Sequence, residues 1–512
     1  MNVILINPSY PQTFWSFNKV LKLTGKKALI PPLGLLTVAA LLPQTWNFRL
    51  IDLVFNRITE SDWEFADLLI VTGMIVQHKG ILEAVKEGRR RGKTVLVGGP
   101  WAFHFPEEAL QAGADLVVVG EAEPTISEVL ECVEQGVSGR IIRSDVMADM
   151  EQSPTPRFDL LDVDSYVDMA IQFSRGCPFK CEFCDITYML GRSVRTKTAR
   201  QILNELNVLY ELGWRRSVFF VDDNFIGNVM RAKHLLTALI AWSESHGRPM
   251  EFYTQASVNL ASQEKILDLM SRADFSQVFL GIETPDEESL KLTGKTQNVA
   301  ADLDKVCRKI NEAGIQIIAG CIIGFDNEKQ GADQRLIEFA SRNRIPEMFG
   351  TLLQAGPGTD LWQRLEREDR LISGDYEHFS NQTSLINFTP TRPLKQIVDE
   401  FINLYGTLYE RKFYLERVLE CIMIMKPPSK PKPFQMPYAF EVKTVLAMMF
   451  RQGFLYSSRW VFWKSLLTLL LKKPVRLKNF FTYCVRLEHY SEYSATIGRA
   501  LSEQLATRVE ST

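Results

Sequence analysis

Three cysteines in one short loop constrain this chain more than any other feature. Cys177, Cys181 and Cys184 follow the spacing C-x3-C-x2-C, and no fourth cysteine lies nearby. Structural zinc sites need four ligands, usually as two separated C-x2-C pairs, and a simple electron-transfer 4Fe–4S cluster needs four thiolates. Three thiolates on one tight loop therefore predict a 4Fe–4S cluster with one iron left open for a small molecule. The alternative is a chance cluster of buried cysteines.

Composition excludes several classes of protein. The 512 residues leave room for about two to four domains, and the net charge of −2 gives no global signal for nucleic acid. The chain begins with an apolar strand rather than a secretory leader, so we expect a reducing, cytoplasmic location. No apolar run reaches the ~20 residues of a membrane-spanning helix. Inert buried thiols are the expectation for the other five cysteines, Cys132, Cys307, Cys321, Cys421 and Cys484.

The first third of the chain alternates short apolar strands with helices. Strands rich in Val, Ile and Leu are typical of a parallel sheet buried on both faces. We therefore predict a doubly wound α/β domain over residues 1–148, with its ligand beyond the carboxyl ends of the strands. A linker follows over residues 149–166. The predicted strands are Val3–Asn7, Phe48–Asp52, Leu68–Thr72, Thr94–Gly98 and Asp115–Gly120, and the predicted helices are Leu33–Leu42, Gly80–Arg91 and Pro124–Glu134.

A second alternation predicts a partial (β/α)6 barrel over residues 167–360. Its chemistry should lie at the carboxyl ends of the strands. A helical extension over 361–435 and a basic, aromatic helical tail over 436–512 complete the predicted organisation. The predicted barrel strands are Met169–Phe173, Ser217–Val221, Glu251–Val258, Gln277–Ile282, Gln316–Ile323 and Gly350–Gln354.

The cysteine spacing resembles that of the radical S-adenosylmethionine (SAM) superfamily. The resemblance implies that SAM occupies the open iron and that reduction of the cluster cleaves SAM to a 5′-deoxyadenosyl radical. Phe183, just before the third cysteine, is then expected to shield the cluster and face the adenine, with simple packing of the ring as the alternative.

Polar and small residues at the ends of later barrel strands extend this predicted site. Asp222 and Asp223 could hold the SAM ammonium, although capping of a helix by Asp223 or Asn224 is an equal alternative. Glu283 could accept both ribose hydroxyls. Small residues of the fifth strand permit close approach of backbone to a flat ring. The remaining predicted cofactor-binding residues of the barrel are Gly320, Gly324 and Gln354.

Glycines at three strand ends of the first domain predict a broad, flat shelf for a large planar ligand. The dinucleotide motif G-x-G-x-x-G is absent after the first strand, where Asn7-Pro8-Ser9-Tyr10 stands instead, and this argues against NAD. The predicted shelf residues are Met74, His78, Gly98, Gly99, Gly120 and Glu121.

The combined motifs are similar to those of the cobalamin-binding subclass of radical SAM enzymes, nearest the hopanoid 2-methylases and bacteriochlorophyll side-chain methyltransferases. The resemblance covers roughly residues 1–420. The Asp-x-His-x-x-Gly motif of cobalt-ligating domains is absent, so the resemblance implies base-off cobalamin, with His78 either a cobalt ligand or a polar loop residue. The stretches that carry it are Thr13–Phe17, Pro31–Ala40, the cysteine loop, Phe220–Asn228, Gly281–Pro285 and Pro357–Thr359.

This resemblance implies a C-methyltransferase acting on an unactivated carbon of a lipophilic substrate, such as a hopanoid-like lipid or a tetrapyrrole, with flavodoxin or ferredoxin as reductant. One alternative is a radical SAM cyclase or oxidative rearrangement without methyl transfer. An alternative of another class is a non-catalytic cobalamin-binding sensor.

The basic tail suggests a location for such an enzyme. Between Val442 and Leu487 there is no Asp or Glu, yet there are nine Lys or Arg interleaved with aromatic residues. This pattern favours peripheral binding to the inner face of an anionic membrane, with a helical cap whose cations face water as an equal alternative. No nucleic acid is expected, because recognisable binding modules are missing.

Overall fold

The computed structural model describes residues 1–372, 382–426 and 439–510. The chain forms two compact units, and the cysteine loop contributes residues to both. The first unit comprises Met1–Pro11, Ile30–Pro178 and Cys184–Asp223, and the second comprises Gln12–Leu29, Phe179–Phe183 and Asn224–Thr512.

A six-stranded parallel sheet forms the centre of the first unit, in the order β2-β1-β3-β4-β5-β6. Alternate residues of β1 serve opposite faces: Ile4 and Ile6 belong to one apolar core, and Val3 and Leu5 to the other. Burial on both faces explains the continuous apolar strands and confirms the predicted doubly wound sheet. The strands are β1 (Asn2–Asn7), β2 (Asn47–Asp52), β3 (Leu68–Thr72), β4 (Thr94–Gly98), β5 (Leu116–Val119) and β6 (Arg140–Arg143).

Strand β6 was not predicted. It carries an exposed arginine at each end, Arg140 and Arg143, so its four residues lack a long apolar run. As the last strand of the sheet it pairs with one neighbour only, β5, and partial exposure is tolerated there.

The first unit also contains the elements that carry the beginning of the cysteine loop. Strands β7 (Met169–Ile171) and β10 (Ser217–Phe220) pair in parallel, and the short strands β8 (Ser174–Arg175) and β9 (Arg195–Thr196) pair antiparallel. The predicted linker, residues 149–166, contains three single-turn 3-10 helices.

Four parallel strands form the sheet of the second unit, paired in chain order: β11 (Glu251–Ala256), β12 (Phe275–Glu283), β13 (Gln316–Ile323) and β14 (Glu347–Leu352). Strand β13 is buried along its whole length. The last strand begins three residues before the predicted Gly350, so Gln354 lies beyond it.

Helices surround both sheets. In the first unit they are α2 (Leu33–Leu41), α3 (Glu60–Phe65), α4 (His78–Arg90), α5 (Gly99–His104), α6 (Pro106–Ala112), α7 (Ala122–Glu134), α8 (Ile186–Met189) and α9 (Ala199–Glu211). In the second they are α1 (Asn18–Thr24), α10 (Val229–Ser245), α11 (Glu264–Arg272), α12 (Glu287–Leu292), α13 (Thr296–Val299), α14 (Leu303–Glu312), α15 (Ala332–Arg342), α16 (Asp360–Arg367), α17 (Leu394–Leu408), α18 (Arg411–Ile424), α19 (Ala439–Phe450), α20 (Arg459–Lys472) and α21 (Leu477–Glu510).

The carboxyl-terminal helices complete the second unit. Tyr405 of α17 bonds both backbone groups of Gly350 through its hydroxyl, at 2.9 and 3.1 Å, and Tyr409 does the same at Met348. These hydroxyls satisfy the open edge of β14. Arg486 of α21 pairs with the buried Glu347 at 2.8 Å. The helical tail is therefore part of the core, and its predicted start at residue 436 lies outside the described residues.

Candidate active site

The cysteine loop begins with a turn that only glycine fits. Gly176 has φ 90°, and a Cβ there would lie 2.8 Å from the carbonyl oxygen of Ser193. The amide of Cys177 donates to the carbonyl of Gly191 at 3.3 Å. The loop therefore turns tightly at Gly176 before its first cysteine.

The three loop thiols differ from the other cysteines in exposure. Cys177, Cys181 and Cys184 are partly exposed, whereas the other five are buried as predicted. Across the described ranges, no three His, Cys, Asp or Glu side chains are arranged as a ready-made metal site. The fit of the loop to a 4Fe–4S cluster therefore rests on its donors, which are three accessible thiols on one short segment.

Asp222 supports the strand that leads into this loop. Its Oδ1 accepts hydrogen bonds from the backbone amides of Phe173 and Ser174, at 2.8 and 3.0 Å. The side chain is fully buried, and burial raises its pKa to about 7. Its Oδ2 is buried with no hydrogen-bond partner among the described residues.

Asp223 also supports the loop. Its Oδ2 accepts from the amide of Gly176 at 3.4 Å, and burial raises its pKa to about 6. The alternative of helix capping by Asp223 or Asn224 is wrong, because α10 begins at Val229 and Asn228 caps it. Binding of the SAM ammonium by Asp222 and Asp223 stays a prediction.

Glu121 forms a buried ion network, which corrects its predicted role in cofactor binding. Its carboxylate accepts from Arg175 at 2.8 Å, from Arg195 at 2.7 and 2.9 Å and from the amide of Ala148 at 2.8 Å. Arg175 also pairs with Glu123 at 2.9 Å. Two partly buried guanidinium groups are paired with these carboxylates, so the carboxylate of Glu121 is already bound within the protein.

The glycines of the predicted shelf differ in the space beside them: Gly98 and Gly120 face open space, whereas Gly99 packs against protein. Gly99 has φ 85°, and a Cβ there would overlap the hydroxyl of Thr72. Gly120 has φ 109°, and a Cβ there would meet no atom within 4 Å. At Gly98 the nearest atoms would be 3.9 Å away, and Met74 is exposed beside these strand ends. Open space above main chain fits a large flat ligand.

His78 is enclosed, which is evidence against its predicted contact with such a ligand. Its Nδ1 accepts from Trp101 Nε1 at 3.1 Å, and its Nε2 lies 3.2 Å from Glu108 Oε1. With both ring nitrogens engaged, no lone pair is left for cobalt. The prediction of a polar loop residue also needs correction, because His78 is buried and begins α4.

His104 is a polar residue that sequence reasoning missed. Its side chain is 1% exposed, and its Nε2 lies 3.5 Å from Asp185 Oδ2, next in sequence to Cys184. Within the described residues neither ring nitrogen makes a hydrogen bond. The only available signal was its position shortly after the Gly98–Gly99 strand end.

Glu283 ends β12 in the left-handed region, with φ 62°. Its buried carboxylate pairs with Lys295. A Cβ on Gly281 would lie 2.5 Å from Glu283 Oε1 and 2.6 Å from Lys295 Nζ, so a side chain there would displace this pair. Lys295 Nζ also lies 5.7 Å from the centre of the Phe183 ring. The structure thus brings Glu283 and Phe183 together through Lys295, which no sequence motif marked.

Three other predicted cofactor-binding residues of the barrel, Gly320, Gly324 and Gln354, contact other parts of the protein. A Cβ on Gly320 would lie 2.7 Å from the Phe279 ring, and one on Gly324 would lie 2.9 Å from Ile386. The space predicted for a flat ring is therefore filled by protein at both glycines. Gln354 donates one amide hydrogen to the carbonyl of Leu385 at 2.8 Å, which fixes the orientation of its side chain.

Comparison with known proteins identifies the family. The radical SAM superfamily profile matches residues 171–340, and a domain of unknown function, DUF4070, matches residues 359–503. An uncharacterized methyltransferase of Synechocystis sp. is 45% identical over 99% of this chain and 94% of its own length. The hopanoid C-2 methylase of Rhodopseudomonas palustris is 31% identical over 97% of this chain and 94% of its own length. The chain belongs to the radical SAM family of hopanoid C-2 methylase.

A solved structure shows the same fold for this radical SAM enzyme. The methyltransferase TsrM from Kitasatospora setae, solved with cobalamin and a [4Fe-4S] cluster bound, matches with a TM-score of 0.62 at 14% identity. The match covers 97% of this chain and 99% of TsrM. The predictions of a radical SAM enzyme, of its α/β fold with two parallel sheets and of a methyltransferase family are thus confirmed.

Proposed function

We propose that this radical SAM enzyme is a cobalamin-dependent C-methyltransferase that acts on an unactivated carbon of a polycyclic lipid. The observation that carries the proposal is the three-cysteine loop in a chain that is 31% identical, over nearly its whole length, to hopanoid C-2 methylase. The fold shared with TsrM and the open glycine shelf support a place for cobalamin in the first unit.

The cysteine loop and Asp222 would form the cluster site. Cys177, Cys181 and Cys184 would hold the cluster, and Asp222 would fix the strand before them through its two backbone bonds. When bound, the cofactors supply the radical that removes a substrate hydrogen atom and the methyl group that replaces it. A flavodoxin or ferredoxin would supply the reducing electron.

The SAM site would be built on Glu283. Its carboxylate would accept the ribose hydroxyls, while the ion pair with Lys295 orients that carboxylate. Phe183, whose ring centre lies 5.7 Å from Lys295 Nζ, would lie against the adenine and exclude water. On the shelf of the first unit, the bare backbone at Gly98 and Gly120 would face the corrin.

Glu283→Gln is expected to weaken SAM binding by ~1–3 kcal/mol, because charge-assisted hydrogen bonds become neutral ones. Equilibrium binding of SAM to the cluster-loaded protein measures this change, and the iron content should stay constant. Glu287→Gln, on the exposed first turn of α12, is the matched control and should bind SAM normally. An unaltered SAM affinity in Glu283→Gln would show that the carboxylate pairs with Lys295 and does not bind the ribose.

Lipid analysis of a deletion strain tests the proposed substrate class. We expect the strain to lack a methylated polycyclic lipid that its parent makes, and to regain it from a plasmid copy of the gene. Identical lipids in the two strains, together with an altered tetrapyrrole, would contradict a lipid substrate and indicate a tetrapyrrole substrate.

An exposed apolar face on α19, α20 and the π-helix Arg451–Leu455 would bring the enzyme to its substrate. Phe454, Trp460 and Leu471 are 62%, 72% and 76% exposed. The surrounding sequence from Val442 to Leu487 carries nine Lys or Arg and no Asp or Glu. Arg451 and Arg486 pair with buried carboxylates and Arg476 is buried, so the other six cations would complement anionic headgroups. None of the described helices meets the length and apolarity needed to cross a membrane. The other exposed members of the face are Val442, Leu446, Phe450, Leu455, Leu467 and Leu470.

Two aromatic residues of this region need separate assignment. Phe462 and Phe480 are fully buried and stack on each other with ring centres 5.6 Å apart, so these two aromatic residues of the tail do not reach a membrane. Trp460 remains on the exposed side of the same helix. The apolar face and the internal packing of α20 are therefore distinct surfaces.

Replacement of Phe454, Trp460 and Leu471 by serine is expected to reduce binding to anionic liposomes by at least tenfold, since each buried large side chain contributes roughly 1.5–3 kcal/mol. Sedimentation with phosphatidylserine vesicles measures the change, and binding of the unaltered protein should fall as salt rises. Met230→Ser, at an exposed site on α10, is the control. Equal sedimentation of the triple variant and the unaltered protein would contradict the membrane face.

A further inference from the structure

One polar side chain reaches a thiol of the cysteine loop from a separate segment. Gln297, on the single-turn helix α13, donates from Nε2 to Cys181 Sγ at 3.7 Å. Its other amide atom, Oε1, is buried and has no hydrogen-bond partner in the described part of the chain. The contact with sulfur is therefore the one hydrogen bond that the Gln297 side chain makes among the described residues.

The segment that carries Gln297 is fixed from two directions. Asn298 donates to the carbonyls of Gly281 and Ile282, both at 2.9 Å, which ties α13 to the end of β12. The amide of Glu182, next to Cys181, donates to the carbonyl of Thr293 at 2.9 Å. Because both the donor segment and the thiol segment are anchored, the amide is held toward Sγ.

We propose that Gln297 is a positioning residue that raises the reduction potential of the cluster through its N–H···S hydrogen bond to Cys181. One-electron reduction adds negative charge to the cluster, and the thiolate sulfurs share that charge. A donor at Sγ stabilises the reduced form more than the oxidised form, and hydrogen bonds to the sulfurs are an established determinant of cluster potential. The inference rests on the proposed function, since it requires the cluster on this loop.

Two substitutions separate this effect from simple packing. Gln297→Met keeps the size of the side chain and removes the donor, while Gln297→Glu removes the donor and adds a negative charge. We expect the potential to fall in the order Gln, Met, Glu. For Met, the ratio of reduced to oxidised cluster at a fixed potential should fall about tenfold, as for loss of one charge-assisted hydrogen bond, which is about 59 mV for one electron.

Anaerobic titration with dithionite through low-potential mediators, followed by electron paramagnetic resonance, measures the potential. Iron and sulfide are quantified in each sample. Thr296→Val is the matched control, because Thr296 lies on the same helical turn with its side chain exposed, and it should keep the wild-type potential.

The outcomes separate failure of the proposed function from failure of the role proposed for Gln297. A wild-type protein that binds no cluster would refute the proposed function itself. Variants that retain the cluster at the wild-type potential would overturn only the role of Gln297. Loss of the cluster in both variants would also overturn it, because Gln297 would then serve assembly of the site and not its potential.

Discussion

Replacing Cys177, Cys181 and Cys184 together by alanine is expected to abolish the iron–sulfur chromophore and reductive SAM cleavage. The expected loss is complete, because no other thiol of the chain is exposed enough to replace these ligands. Visible absorption, iron content and formation of 5′-deoxyadenosine measure the result. The circular dichroism spectrum should stay unchanged, because the loop side chains lie outside the buried cores.

Cys132→Ala provides the matched control. Cys132 is buried in the core of the first unit, on α7, and its loss should cost some stability and no cluster. SAM cleavage by the triple variant would contradict the assignment of the cluster to this loop.

Asp222→Ala is expected to lower the iron content severely, while Asp222→Asn retains most of it. Alanine leaves the buried amides of Phe173 and Ser174 without an acceptor, at about 1–3 kcal/mol each. Asparagine keeps an oxygen in the same place. Iron content after reconstitution and the midpoint of thermal unfolding measure both variants. Equal behaviour of the two variants would show that the backbone bonds do not support the loop.

The raised pKa of Asp222 predicts that the stability of the protein depends on pH. Burial raises the pKa of Asp222 from 3.8 to about 7, so its carboxyl favours the folded state when protonated. The stability that it contributes is complete below pH 3.8 and is lost as the pH rises through about 7. The thermal midpoint of the cofactor-free wild type, measured relative to that of Asp222→Asn, should therefore fall between pH 5 and pH 8. A constant difference would contradict the raised pKa.

Much of the fold could be predicted from local sequence patterns. The apolar run of Val3–Ile6 and its counterparts predicted the first sheet to within a residue or two, because burial on both faces leaves a strong signal in sequence. The cysteine loop was equally clear, since its ligands are neighbours in the chain. Strand β6 and the start of β14 were missed because polar ends interrupt their apolar patterns.

Long-range partners explain the errors at the site. Glu121 stands 54 residues before Arg175, and nothing in the sequence shows that two arginines enclose it. His78 likewise depends on Trp101 and Glu108, and Gly320 on the ring of Phe279. A glycine or a carboxylate at a strand end therefore predicts a place in the fold, whereas its contacts decide whether it faces a ligand.

The most direct test of the central claim is a count of SAM products. The reconstituted enzyme, supplied with cobalamin, a reductant and an unmethylated pentacyclic hopanoid, should form 5′-deoxyadenosine and S-adenosylhomocysteine in equal amounts together with a methylated lipid. Each methylation requires one hydrogen abstraction and one methyl transfer, so the two products must rise together. Formation of 5′-deoxyadenosine alone, with a rearranged or cyclised lipid, would contradict methyl transfer as the function of this chain.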